Sequence, residues 1–177
     1  LTTDYSRRSP SIDNCFDLEL QLDVQLVYRQ IASLDVSRVF KTCGPIPGIR
    51  SFSGHQQMWS QPGQQRRLLL ADDSSVTETL IALKKDCYLA FKVSEFSGLF
   101  GLLLQYAVGE WRFHTTTHHT VLSWRYRFVP KSPWAKPVLM MINHLFWRRY
   151  MQAALSRINS ESNKIAQLKG QQSPQSI

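Results

Sequence analysis

The chain has 177 residues, 43% hydrophobic and 19% charged, which is enough apolar material for one cored domain and too much for a globally disordered chain. Lys and Arg number 21 against 13 Asp and Glu, a net charge of +8. The basic residues are nevertheless scattered in ones and twos (Arg7-Arg8, Arg66-Arg67, Lys84-Lys85, Arg148-Arg149), so no nucleic-acid arm is expected.

Residues 1–14 are rich in Ser, Thr, Asp and Arg and read as a flexible N-terminal arm, with no apolar segment of the secretory kind. Phe16, Leu18, Leu20, Leu22 and Val24 then alternate with polar residues, the period of a half-buried strand. From Gln25 to Cys43 the apolar spacing becomes helical. It predicts two short helices broken at Leu34-Asp35, with Asp35 capping the second. Gly44-Pro45-Ile46-Pro47-Gly48 ends helical structure. Strands follow at Arg50–Trp59, Gln65–Ala71, Val76–Leu83 and Cys87–Phe96, separated by polar turns, which is the spacing of an antiparallel meander. Ser97–Tyr106 fits a short buried helix, a loop or a strand.

Val108–Thr115 and Thr120–Val129 form a predicted hairpin. Alternation puts Trp111 and Phe113 on one face, with Leu122 and Trp124 beside them, and Glu110, Arg112 and His114 on the other. A long helix is expected from about Pro137 to Asn159, roughly 33–36 Å at 1.5 Å per residue. Its apolar arc contains Leu139, Met140, Phe146, Trp147, Tyr150, Met151, Ala154 and Ile158. Asn143 falls inside that arc as the one misplaced polar group. The longest apolar stretch, Val138 to Trp147, is about half the roughly 20 residues that cross a bilayer. Residues 161–177 read as a flexible C-terminal tail, leaving 15–160 as a single domain. The fold class is therefore α+β: an antiparallel sheet of about six to seven strands, two short helices after the first strand, and one long C-terminal helix to cover the sheet. A curved sheet around one helix leaves space over, which is a pocket.

Three pieces carry a family resemblance: the Phe16–Val24 strand with its double helix; Gly109-x-Trp111-x-Phe113 followed by Thr120-Val121-Leu122-Ser123-Trp124-x-Tyr126-x-Phe128; and the proline-led helix with Leu145-Phe146-Trp147-Arg148-Arg149-Tyr150-Met151. Over about residues 15–160 the chain resembles the START/SRPBCC superfamily, specifically its polyketide cyclase/dehydrase-like members. The resemblance implies a helix-grip fold with a deep apolar cavity that binds or processes hydrophobic molecules. It implies no family-wide catalytic residue.

The candidate cavity residues are Asn143, Trp147, Tyr150, Trp111, Phe113, Trp124 and Glu78. Asn143 would orient a mostly apolar ligand by hydrogen bonds, or simply satisfy a neighbour. The aromatics would be walls, or ordinary core. Glu78 shares a strand face with Val76, Leu80 and Ala82, and as an inward carboxylate it needs a partner. Glu110, Arg112 and His114 read either as an acid–base set or as the solvent face of a sheet. His114, His118 and His119 have a spacing that zinc can use, but the Thr-rich turn offers no Cys or carboxylate and favours solvated histidines. Cys15, Cys43 and Cys87 share no metal-like spacing and suggest reduced thiols in a cytoplasmic protein. There is no Gly-rich nucleotide loop and no GxSxG, so no metal or cofactor is expected and no catalytic residue is assigned. The readings left open are a binding or transport module for a small hydrophobic molecule, a cyclase or dehydratase using one of Glu78, Glu110, Arg112, His114 or Asn143, and a lipid carrier that touches membranes through 98–104. No oligomeric state follows.

Overall fold

The computed structural model describes residues 11–55, 57–117 and 119–171, the side chains of 169–171 apart. Seven antiparallel strands form one sheet: β1 (Ile12–Leu20), β2 (Ile49–Gly54), β3 (Gln65–Leu70), β4 (Ser75–Lys84), β5 (Tyr88–Ser94), β6 (Leu104–Thr115) and β7 (Thr120–Pro130). Their order across the sheet is β1-β7-β6-β5-β4-β3-β2. The meander from β2 to β7 is sequential, and β1 closes the far edge against β7. Register shifts at Leu80/Ala82 and Leu104/Tyr106 put bulges into β4 and β6. Bulges bend a strand, and here they help a long sheet curl around its contents.

The connection between the two edge strands is helical. It consists of α1 (Val24–Ala32) and α2 (Val36–Val39), with the expected break at Leu34-Asp35. Asp35 accepts hydrogen bonds from the Ser37 backbone N–H at 3.1 Å and from its hydroxyl at 2.6 Å. Those bonds, first the hydroxyl's, hold its carboxyl below the usual carboxylate value of 3.8. A carboxylate with a lowered folded-state pKa contributes stability above its unfolded value, and that contribution disappears as pH falls through the folded value. Asp35→Ala is therefore expected to cost about 1 kcal/mol at neutral pH. In urea titrations the gap from the parent should shrink well below pH 4.

Strand and helix limits differ from the sequence reading in several places. β1 begins at Ile12, because Ile12 and Asn14 continue the inward parity and both are buried, so the expected arm of 1–14 loses its last residues to the sheet. β2 ends at Gly54 rather than Trp59, and the loop after it folds Trp59 back into the core, where its N–H donates to the Ala32 carbonyl at 3.1 Å. Ser97–Tyr106 divides into α3 (Gly98–Leu103) and the start of β6. The C-terminal helix starts at α4 (Ala135–Ile142), passes through a π turn (Asn143–Trp147) and continues as α5 (Arg148–Gln171). It does not stop at Asn159. Ser162 is buried and donates to Gln30 Oε1 of α1 at 2.7 Å, so the first part of the expected tail belongs to the helix. Residues 1–10, 56, 118 and 172–177 lie outside the described residues, His118 among them.

The π turn explains the largest error of the helical wheel. The Arg148 N–H reaches back five residues to the Asn143 carbonyl. That inserts about one residue, a step of about 100°, into the 3.6-residue register. Ala135, Leu139 and Ile142 before the turn and Tyr150, Met151, Ala154 and Ile158 after it can then all face the sheet. A single unbroken wheel instead placed Met140 in the buried arc, where it is exposed, and omitted Ile142 and Leu155, which are buried.

Candidate ligand cavity

The sheet and the C-terminal helix enclose a cavity of about 130 Å³. Its floor comes from the hairpin. Trp111 and Trp124 are direct cross-strand partners, with ring centroids 4.5 Å apart and planes 8° from parallel. Gly109 lies opposite Tyr126, and a Cβ there would sit 3.2 Å from two ring carbons, so glycine lets the Tyr126 ring lie against the sheet. The helix supplies the facing wall. Trp147 ends the π turn and stacks on Tyr150 at 5.1 Å, while Tyr126 and Phe128 approach Trp147 at 4.8 and 4.7 Å. Phe40 of the α2 end bridges Trp124 and Tyr150 at 5.7 and 5.8 Å. Phe100 of α3 forms part of the lining.

The polar end is built by β3 and β4. Arg66 and Glu78 are register partners, and Arg66 Nε donates to Glu78 Oε2 at 2.6 Å. Their side chains are 8% and 14% exposed. The guanidinium carbon lies 5.3 Å from the Phe52 ring centre and 5.0 Å from that of Trp59, so two aromatic faces share the charge with the carboxylate. Among the described residues, no hydrogen bond engages the two terminal amino groups of Arg66. Among the described residues Trp147 Nε1 is also buried without a hydrogen-bond partner. Burial first, and then the Glu78 charge, pushes the Tyr126 phenol far above its ordinary value of 10, and burial does the same to Tyr150. Both remain protonated donors at neutral pH.

Of the candidates from sequence, Trp111, Trp124, Trp147, Tyr150 and Glu78 line this cavity. Phe113 does not. It lies two residues further along β6 and packs edge-on against Tyr28 of α1 at 5.4 Å, so it belongs to the core beneath that helix. Asn143 does not line it either. Asn14 Nδ2 of β1 donates to Asn143 Oδ1 at 2.7 Å, and the π turn carries this position toward the β1 edge. The polar residue in the apolar arc pairs with the buried amide of Asn14. Glu110, Arg112 and His114 point to the outer face. There Arg112 approaches Glu110 at 3.4 Å and covers the Tyr88 ring, whose phenol is pushed up to about 12 by burial and by Glu110. His114 is exposed, and His119 is 3.7 Å from Glu19 at the hairpin end. Among the described residues no group of three His, Cys, Asp or Glu side chains is close enough to hold a metal ion.

Arg66 is not among the candidates read from the sequence, although the sequence carries a signal for it. It has the parity of Leu68 and Leu70, both buried, and faces Glu78 across the strand pair. Trp59 gave no such signal, because a loop rather than a periodic element delivers it.

No protein-family model matches the chain, and no curated protein sequence matches it significantly. Solved structures do match. Ara h 8.0201 superposes with a TM-score of 0.62 at 12% identity, over 88% of this chain and 99% of that one. Major latex-like protein 151 from Panax ginseng gives 0.59 at 13%, over 86% and 97%. The di-domain ARO/CYC StfQ from the steffimycin biosynthetic pathway gives 0.65 at 16%, over 88% of this chain and 52% of that one. At such identities the likeness is one of fold. The curled seven-stranded sheet, the paired short helices after β1 and the long C-terminal helix give this chain the helix-grip fold that these structures share.

Proposed function

We propose that this protein binds a small, uncharged, mostly aromatic molecule that carries carbonyl-type oxygens. The observation behind this reading is the make-up of the cavity: aromatic walls, a few N–H and O–H donors, and one carboxylate, Glu78, that is already paired with Arg66. The Arg66 amino groups and the Tyr126 and Tyr150 phenols can donate, the phenol oxygens can also accept, and Glu78 accepts from Arg66. Buried donors favour a ligand that supplies acceptors. The Arg66–Glu78 pair is neutral as a unit, so a ligand carboxylate would meet Glu78 as well as Arg66, and a carbonyl fits better. The size is limiting. A cavity of about 130 Å³ is close to the roughly 150 Å³ that accommodates benzene and below the roughly 300–1,000 Å³ of drug-sized sites. The cavity as it stands is on the scale of a single ring, and a larger ligand requires its lining to yield. The three free thiols, Cys15, Cys43 and Cys87, accord with a reducing, cytoplasmic setting.

Paired compounds of equal shape provide the test. Acetophenone should raise the melting temperature more than ethylbenzene does, and a ligand at 100 times its Kd adds about 2.7 kcal/mol of stability. Equal shifts would remove the donor argument, and no shift from any aromatic compound would remove the cavity reading.

A second reading is ring closure or dehydration of a polyketide-like substrate, the chemistry suggested by the likeness to the ARO/CYC protein StfQ. Among the acid–base candidates from the sequence only Glu78 lines the cavity, so a proton-transfer role would fall to it.

A further inference from the structure

The outer side of the C-terminal helix's first turns is unusually apolar. Trp134, Met141 and Leu145 follow the i, i+7, i+11 spacing and form one exposed stripe, with half-buried Val138 between them packing on the core. Trp134 and Met141 are 62% and 56% exposed. Met140 adds a second exposed apolar side chain on the outside of α4, where Lys136 and His144 are the polar neighbours. Helix α3 lies against α4, with Lys131 donating from its backbone N–H to the Leu103 carbonyl and from Nζ to the Gly101 carbonyl. It contributes Leu99 and Leu102, 54% and 62% exposed. A short helix that is apolar inside and outside is one whose outer side is covered in use.

The surrounding charge indicates what covers it. Between Phe96 and Ser160 the sole Asp or Glu is Glu110, which sits on the outer face of β6 beside Arg112; near the start of α3, Glu95 accepts from the Thr77 hydroxyl and Asp72 from Ser74. The same stretch contains Lys131, which bonds α3, Lys136 on α4 and exposed Arg149, while Arg148 lies over the Phe16 ring of β1. An anionic partner is favoured, and the patch itself offers large apolar side chains rather than hydrogen-bonding groups. A nucleic acid would need the reverse. A lipid surface with acidic headgroups meets both requirements, since apolar side chains enter the acyl boundary while lysines and arginines stay at the headgroups. A Trp at one end of the stripe suits the interfacial layer.

We propose that the outer face of α3 and α4 is a docking surface for an anionic lipid bilayer, lying on it without crossing it. No helix among the described residues is long and apolar enough to span a membrane. The geometry ties docking to the cavity. Leu99 and Leu102 face outward from α3 while Phe100 of the same helix lines the cavity, so the docked helix stands between lipid and cavity. The docking itself does not depend on what the cavity holds.

The test is cosedimentation of the full chain with vesicles of phosphatidylcholine alone or mixed with phosphatidylserine, at low and high salt. Binding should require phosphatidylserine and weaken as salt rises. The variant Leu102→Glu/Trp134→Glu/Met141→Glu, changed only at exposed positions, should lose roughly tenfold or more of the bound fraction at an unchanged melting temperature. Lys136→Glu/Arg149→Glu leaves the apolar stripe intact and should lower binding and flatten its salt dependence, which keeps the test decisive if the triple variant is unstable. Failure to pellet with phosphatidylserine vesicles at low salt would overturn the proposal. So would binding that both variants leave unchanged. A dimer in light scattering that the triple variant converts to monomer would also overturn it, in favour of a second copy of this chain on the same face.

Discussion

Replacing Arg66 with leucine is expected to lower the unfolding free energy by about 3–5 kcal/mol in a urea titration, among the largest effects of any single change outside the aromatic core. The variant leaves the Glu78 carboxylate without its partner 2.6 Å away, among Phe52, Trp59 and the cavity aromatics. Removing one member of a buried pair is severe because the remaining charge has lost both water and its counter-ion. Glu78→Leu should cost a similar amount for the mirror-image reason. The double variant Arg66→Leu/Glu78→Leu should recover most of the loss, since replacing both ions by apolar groups of similar volume is often close to neutral. The resulting coupling energy in a double-mutant cycle should exceed about 2 kcal/mol. The same double variant separates stability from recognition. It should fold, still accept ethylbenzene, and no longer prefer acetophenone. If Arg66→Leu alone stays within about 0.5 kcal/mol of the parent, the pair is wetter than its 8% and 14% exposure implies, and its claim to be the polar end of the site falls with it.

The pair also shows how far the sequence could be read. The inward parity of Glu78 was legible, and so was its need for a partner, because strand alternation and the cost of a bare carboxylate are local rules. The partner's identity needed the β3–β4 register, which the turn at 72–75 sets. The hairpin was legible for the same reason: Trp111 and Trp124 share a face at any register that keeps the apolar side inward, so their place on the cavity floor follows from period 2. Asn143 was misplaced because the wheel assumes one continuous 3.6 period, and nothing in Asn143-His144-Leu145-Phe146-Trp147 announces the extra residue of a π turn. Phe113 was assigned to the cavity because alternation specifies a face but not a distance along the strand. Beyond Trp111 the face is covered by Tyr28 of α1. Trp59 escaped altogether, since a side chain delivered by a loop carries no periodic signal.

Trp124→Ala should cost about 3–5 kcal/mol, and it should also change which molecules the protein accepts. The side chain is 2% exposed and meets Trp111 at 4.5 Å, Phe40 at 5.7 Å and Tyr126 at 6.2 Å. Its removal forfeits the transfer energy of an indole and leaves a hole that seven hydrogen-bonded strands cannot collapse to fill. Because Trp124 lines the existing cavity, that hole joins it rather than forming a separate void. The enlarged space should take two-ring compounds such as acetonaphthone, which the parent's roughly 130 Å³ is too small to hold, and binding them should return part of the lost stability. Phe113→Ala provides the control. It removes a comparably buried ring from the same face of the sheet, on β6 and against Tyr28 instead of the cavity, so it should destabilise without admitting any new ligand. Measured together by urea titration and thermal shift, the two variants should differ in ligand response while resembling each other in stability. If acetonaphthone stabilises both equally, or the parent as strongly as Trp124→Ala, then Trp124 does not set the size limit. The floor of the cavity would then be more yielding than the stacked Trp111–Trp124 pair suggests.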